Sequence, residues 1–178
     1  STTSPFKKIG TILCDQVLMS GGWSPAVHLL SHRGERPVWN SENLCFLPGD
    51  TKENITMIGS ARGIWNKEDC IKSGIAGALE AVNRLGISQT NYFFPKQGGW
   101  QNAIEPLYEV KYNNSRSKSF VDFQHDVTCD DVRLAHREGF VSVEHLKRYT
   151  TLGMANDQGK MGNIIGLSLM ADLLDKEI

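Results

Sequence analysis

Apolar and polar positions alternate in two distinct ways along this chain. Residues 12–19, ILCDQVLM, are apolar on both alternating faces, the pattern of a central strand with both faces covered. SGG follows, where Gly21 and Gly22 permit a sharp turn. SPAVHLLSH then predicts a short helix, with Ser24 as N-cap and Pro25 at its first position. RPVWN and LCFLPG read as short extended pieces, and NITMIGSARG, residues 54–63, as a strand running into a glycine turn. Residues 67–85 switch to helical spacing. Ile71, Ile75, Ala78, Val82 and Leu85 recur on one side, Asn66 can cap the start, and Glu68 and Asp69 suit the first turn. Gly74, Gly77, Ala78 and Ala81 are small enough to bring the helix backbone close to a sheet, and Gly86 ends the helix.

Residues 87–118 lose this regularity. YFFPKQGGW and KYNNSRSK mark a boundary between two units. Beyond it, SFVDFQ is a short alternating strand, and Thr128 with Asp131 forms a capping-box pattern opening CDDVRLAHREG. Ser142 can cap VEHLKRYT, in which Glu144 and Arg148 stand four apart. The last helix, about 163–176, is apolar except for a narrow stripe of Ser168, Asp172 and Asp175, so it must be covered on most sides. The fold class is therefore α+β, with residues 1–90, a linker at 91–118 and a small, mainly helical unit at 119–178.

Composition narrows the function classes. The chain has 178 residues, 40% hydrophobic and 22% charged, enough for one medium domain or two small ones. A formal net charge of −1, with no long block of one sign, gives no reason to expect a nucleic-acid or membrane partner. The longest apolar stretch, residues 164–174, is too short to span a bilayer and contains Asp172. STTSPFKK has no apolar signal segment, so a cytoplasmic location is expected, and a first residue other than Met suggests a processed or trimmed product. Cys14, Cys45, Cys70 and Cys129 are too dispersed for a zinc knuckle or iron–sulfur loop, and buried free thiols are expected.

Candidate chemistry is sparse. IGSARG at the head of the small-residue helix can cradle a dinucleotide, but it is not GxGxxG, and the pattern alone favours an ordinary turn and packed helix. KRYTTLGMANDQGK has the parts of an anion site: Arg148 can fork onto phosphate, Lys147 and Lys160 add charge, and Thr150 and Thr151 add hydroxyl donors. The competing reading is a solvated loop between two helices. His28 and His32 share a helix face but lack a third metal ligand, and no catalytic constellation emerges.

One resemblance goes further. FVDFQHDVTCDDVRLAHREGFVSVEHLKRYTTLGMANDQGK, residues 120–160, closely resembles the alpha subunit of heterotetrameric sarcosine oxidase, with REGF, EHLKRYTTLGM and DQGK in family order. VLMSGGWSPAVHLLSHRG and IGSARG with its helix resemble the late part of that subunit's dinucleotide-binding domain. The resemblance implies a remnant of an α/β dinucleotide-binding domain followed by a small helical cofactor or subunit-interface domain. It implies an oxidoreductase that demethylates sarcosine with oxygen and tetrahydrofolate. NAD would lie on alpha, FAD on the partner beta subunit and FMN near their interface. Whether this stretch alone holds any cofactor is left open, and no catalytic residue or metal ligand is expected in it. Gly59, Ser60 and Ala61 would line the NAD side, and Lys147, Arg148, Thr150 and Thr151 would meet the FMN phosphate. The alternative is a non-catalytic docking module of a related opine or hydroxyproline oxidase or dehydrogenase. Another domain would cover the apolar last helix, which would promote self-association if left bare.

Overall fold

A computed structural model describes residues 9–18, 20–87, 92–96, 104–110 and 118–178. Helices and small antiparallel sheets are mixed in an α+β chain, which divides into two compact units, residues 22–105 and residues 1–21 with 106–178.

The unit of residues 22–105 begins with a single helical turn, α1 (His28–Ser31). It starts later than the Ser24–Pro25 signal predicts, at Val27, with no side-chain cap; a Val27 N–H to Pro25 carbonyl turn occupies the expected first positions. The two extended pieces pair as an antiparallel hairpin, β1 (Val38–Asn40) with β2 (Cys45–Leu47). Trp39 and Phe46 face each other across it in a T-shaped contact, with centroids 5.2 Å apart. The turn is held by Asn40 Oδ1, which accepts the Asn43 N–H at 2.7 Å.

A 3₁₀ turn, Gly59–Arg62, leads to α2 (Lys67–Arg84). Asn66 Oδ1 accepts the N–H groups of Glu68 and Asp69, the cap anticipated from sequence. At the other end Gly86, at φ +70°, lets the Ile87 N–H reach the Val82 carbonyl, closing a Schellman motif. No residue of α2 is buried.

Two predicted strands are not formed. Residues 12–18 contain no strand and are exposed, Leu13 at 96%, and Met19 lies outside the described residues. Residues 54–58 likewise stay outside any sheet. A strand is completed by neighbours, and no described residue pairs with either segment.

The second unit carries the buried core. β3 (Phe120–Asp122) pairs antiparallel with β4 (Val127–Thr128), which runs directly into α3 (Cys129–Arg137). The capping box forms: the Thr128 hydroxyl accepts the Asp131 N–H, and the Asp131 carboxylate accepts the Thr128 N–H at 2.8 Å. Gly139, at φ +94°, ends α3. α4 (Val143–Thr150) follows without a side-chain cap from Ser142 and without the Glu144–Arg148 ion pair that spacing allowed. Val121, Val127, Val132, Ala135, Leu146, Leu152, Leu169 and Met170 form one core beneath α3, α4 and α5 (Asn163–Leu173).

α5 corrects an expectation. It is covered by its own unit, and Asp172 is its sole exposed residue; Ser168, in the predicted polar stripe, is buried. Ile164, Ile165, Leu167 and Leu173 stay half-buried. It also ends at Leu173, before the predicted end near residue 176, because Asp175 at φ +53° turns the chain and the Lys176 N–H returns to the Ala171 carbonyl. Residues 106–110, inside the expected linker, are tied to α3 by a Glu109–Arg133 ion pair.

Candidate functional site

The polar strip of residues 143–160 is organised from the end of β3. Asp122 is 6% exposed, and its carboxylate accepts the N–H groups of Gln124 at 2.8 Å, His125 at 3.3 Å and Gly153 at 3.3 Å. Burial opposes its charge, but these N–H donors outweigh that and hold the carboxyl below its ordinary range. Gln124 Oε1 accepts the Asn156 N–H at 3.2 Å, and His125 Nδ1 lies 3.1 Å from the Thr151 carbonyl, so that nitrogen carries the proton. The turn after β3 thus fastens the loop after α4 at several points.

The loop's own side chains complete the fastening. Thr150 Oγ1 donates to the Leu146 carbonyl at 2.8 Å and accepts the Leu152 N–H at 3.3 Å. Thr151 sits at φ +62° and donates its hydroxyl to the Thr150 carbonyl at 2.6 Å. Asp157 accepts the N–H groups of Gly159 and Met161 at 3.3 and 3.2 Å, preparing the entry to α5. Gly153 and Gly159 have φ of +72° and +76° and clasp the Asn163 amide; a Cβ on them would stand 2.2 and 2.1 Å from its atoms. Asn163 Oδ1 is buried within this clasp without a hydrogen-bond partner.

The predicted anion residues therefore divide into two kinds. Thr150 and Thr151 spend their hydroxyl protons on backbone carbonyls. Lys147, half-buried, and Arg148, exposed, stand in the last turn of α4 and enter no ion pair among the described residues. A helix C-terminus favours cations but offers carbonyls, not N–H groups, to a ligand. Lys160, exposed on the loop before α5, likewise enters no ion pair among the described residues.

In the other unit, Gly59, Ser60 and Ala61 form the start of the 3₁₀ turn, and the Gly59 N–H donates to Ser73 Oγ at 3.1 Å. The first N–H groups of α2 are taken by Asn66, and Glu68 and Asp69 make this end acidic. These residues fit the uncharged part of a dinucleotide better than its pyrophosphate. Among the described residues no group of His, Cys, Asp and Glu can hold a metal ion, and no helix is long and apolar enough to cross a membrane. Burial and the Glu109 carboxylate push the Cys129 thiol up to about 11, so it is a packed thiol and not a nucleophile.

Sequence reasoning gave no role to Asp122, Asp157 or Asn163 and missed the Glu109–Arg133 link. Local signals existed for two of them: an Asp closing a strand before a polar turn, and Asp-Gln-Gly before a helix.

Residues 116–178 match the family model of the sarcosine oxidase A3 domain. Across 161 residues, 90% of this chain, it is 37% identical to the sarcosine oxidase subunit alpha of Rhizobium meliloti (strain 1021). Across 168 residues it is 31% and 30% identical to the alpha subunits from Corynebacterium sp. strains P-1 and U-96. The chain spans 16–17% of the length of these relatives. Since the matching stretch includes the whole clasp from Asp122 to Asn163, this chain belongs to the sarcosine oxidase alpha-subunit family, with residues 116–178 as its A3 domain.

Proposed function

We propose that this chain is a cofactor-facing and subunit-facing part of the alpha subunit of a sarcosine-oxidase-type oxidoreductase, and that it performs no bond-making step itself. The whole enzyme would convert sarcosine, oxygen and tetrahydrofolate to glycine, hydrogen peroxide and methylenetetrahydrofolate. Residues 1–90 would belong to a dinucleotide-binding-like domain, with 91–118 leading to the helical unit 119–178. Gly59, Ser60 and Ala61 would line the NAD side without holding its phosphates. Lys147 and Arg148 would contact the phosphate of FMN where alpha meets a beta subunit that carries FAD. FMN, when bound, supplies electron transfer between the oxidised amine and oxygen. The protein's part would be to present two cations from the last turn of α4, beside a loop held by its own hydrogen bonds. We place the assembled enzyme in the cytoplasm.

The observation carrying this reading is the pair Lys147 and Arg148, free of ion pairs among the described residues in the last turn of α4, beside a loop whose Thr150, Thr151 and Asp157 side chains bond to backbone. Titration of FMN into the assembled alpha–beta enzyme tests it. Arg148→Ala and Lys147→Ala should each weaken binding about 10-fold, the loss expected for a charge-assisted hydrogen bond. Unchanged affinity in both variants refutes the phosphate role.

A second reading has its own support. Phe123, Met154 and Met161 are exposed on the turn and loop, as on a surface that docks a subunit of this or a related opine or hydroxyproline enzyme. In that case a beta subunit would be captured equally well with and without cofactor, and Met154→Glu would abolish capture.

A further inference from the structure

The sulfur atoms of the described residues differ sharply in exposure. Met170 (1% exposed), Cys45 (1%) and Cys129 (2%) are buried, and Met57 and Cys70 are half-buried. Met154 (52%) and Met161 (54%) are exposed, as is Cys14. The two exposed methionines share one loop. Met154 follows Gly153, and Met161 lies just beyond Gly159, the two glycines that clasp the Asn163 amide. Their backbones are fixed. The Met154 N–H donates to the Thr151 carbonyl at 3.1 Å, and the Met161 N–H donates to the Asp157 carboxylate at 3.2 Å. Neither side chain belongs to the core beneath α3, α4 and α5, which holds Met170. An oxygen added to either exposed sulfur therefore lies outside the core, whereas one added to Met170 puts a polar group inside it.

A thioether is oxidised without first losing a proton, so access of the oxidant governs its rate, whereas a thiol reacts as the thiolate. The enzyme proposed above releases hydrogen peroxide, an oxidant of the required class. We propose that Met154 and Met161 are a modification site for that peroxide, which they take up as methionine sulfoxide while their unit stays folded. The sulfur lone pair attacks one peroxide oxygen, and an S–O bond forms as the O–O bond breaks. Sulfur is oxidised, peroxide is reduced, and the second oxygen leaves as water with both protons; no further reactant enters. Met170 is spared by burial, and Cys129 by burial and by a thiol held protonated up to about 11. The source of the oxidant rests on the proposed function, whereas the choice of residues rests on exposure and loop geometry alone.

Two measurements test the site. In the first, the chain is treated with hydrogen peroxide at about pH 6, where thiols stay protonated, and sulfoxides are mapped by tandem mass spectrometry. Met154 and Met161 should oxidise at least about 10-fold faster than Met170, the melting temperature should not change, and methionine sulfoxide reductases should restore both residues. Oxidation of Met170 at the same rate, or a fall in melting temperature once Met154 and Met161 are oxidised, overturns the proposal. In the second, an assembled sarcosine-oxidase-type enzyme containing this chain turns over sarcosine with and without catalase, and released peroxide is measured alongside. Sulfoxide should accumulate at Met154 and Met161 with turnover, and catalase should prevent it. Peroxide release without sulfoxide at these residues overturns the proposal and leaves the oxidase reading standing, because a partner then covers the loop. Absence of peroxide refutes the oxidase reading itself, and the proposal falls with it for that separate reason.

Discussion

Gly159 shows at residue scale why the strip has its sequence. Its left-handed backbone and the Asn163 amide beside it exclude any side chain, and Gly153 meets the same amide from the other side. Gly159→Ala and Gly153→Ala should each cost about 2–3 kcal/mol, strain and overpacking together, read by urea denaturation of the chain. Asp122 adds a pH dependence. Its folded-state pKa is depressed, so its stabilisation is present above the unfolded-state value of about 3.9 and is lost as pH falls through the lower folded value. Circular dichroism on acid titration should show Asp122→Asn less stable than the parent at pH 7, with the difference shrinking below pH ~4. Cys129, held near 11, should be alkylated far more slowly at pH 8 than exposed Cys14, read by mass spectrometry of labelled peptides.

At the scale of elements, what the sequence made legible was local. The Asn66 cap, the Thr128–Asp131 box and the glycine ending α2 act within a few residues, and all appear where the pattern put them. The tie between Asp122 and Gly153 spans 31 residues, and the one between Gln124 and Asn156 spans 32; no window along the chain displays them. Strands at 12–19 and 54–58 were misread for the same reason in reverse: composition marks a segment fit for a sheet but does not supply the neighbour. Packing between elements gives a further expectation. Leu152 is fully buried and meets α5 at Gly166, where a Cβ would stand 2.4 Å from Leu152 Cδ2. Leu152→Ala should destabilise the unit by about 2–5 kcal/mol in thermal or urea unfolding.

Across the whole molecule, function is divided between side chains that hold the loop and side chains left free on it. Lys147 and Arg148 enter no ion pair among the described residues, whereas Thr150 and Thr151 bond to backbone carbonyls at the end of α4, a use that a list of donor groups does not separate from ligand binding. The most direct test compares FMN dissociation constants of the assembled enzyme carrying Lys147→Ala with Arg148→Ala against one carrying Thr150→Val. The account predicts about 100-fold weaker binding for the cation pair and a change within about twofold for Thr150→Val, whose effect appears instead as a lower melting temperature. Weaker FMN binding in Thr150→Val together with unchanged binding in the cation variant would contradict it.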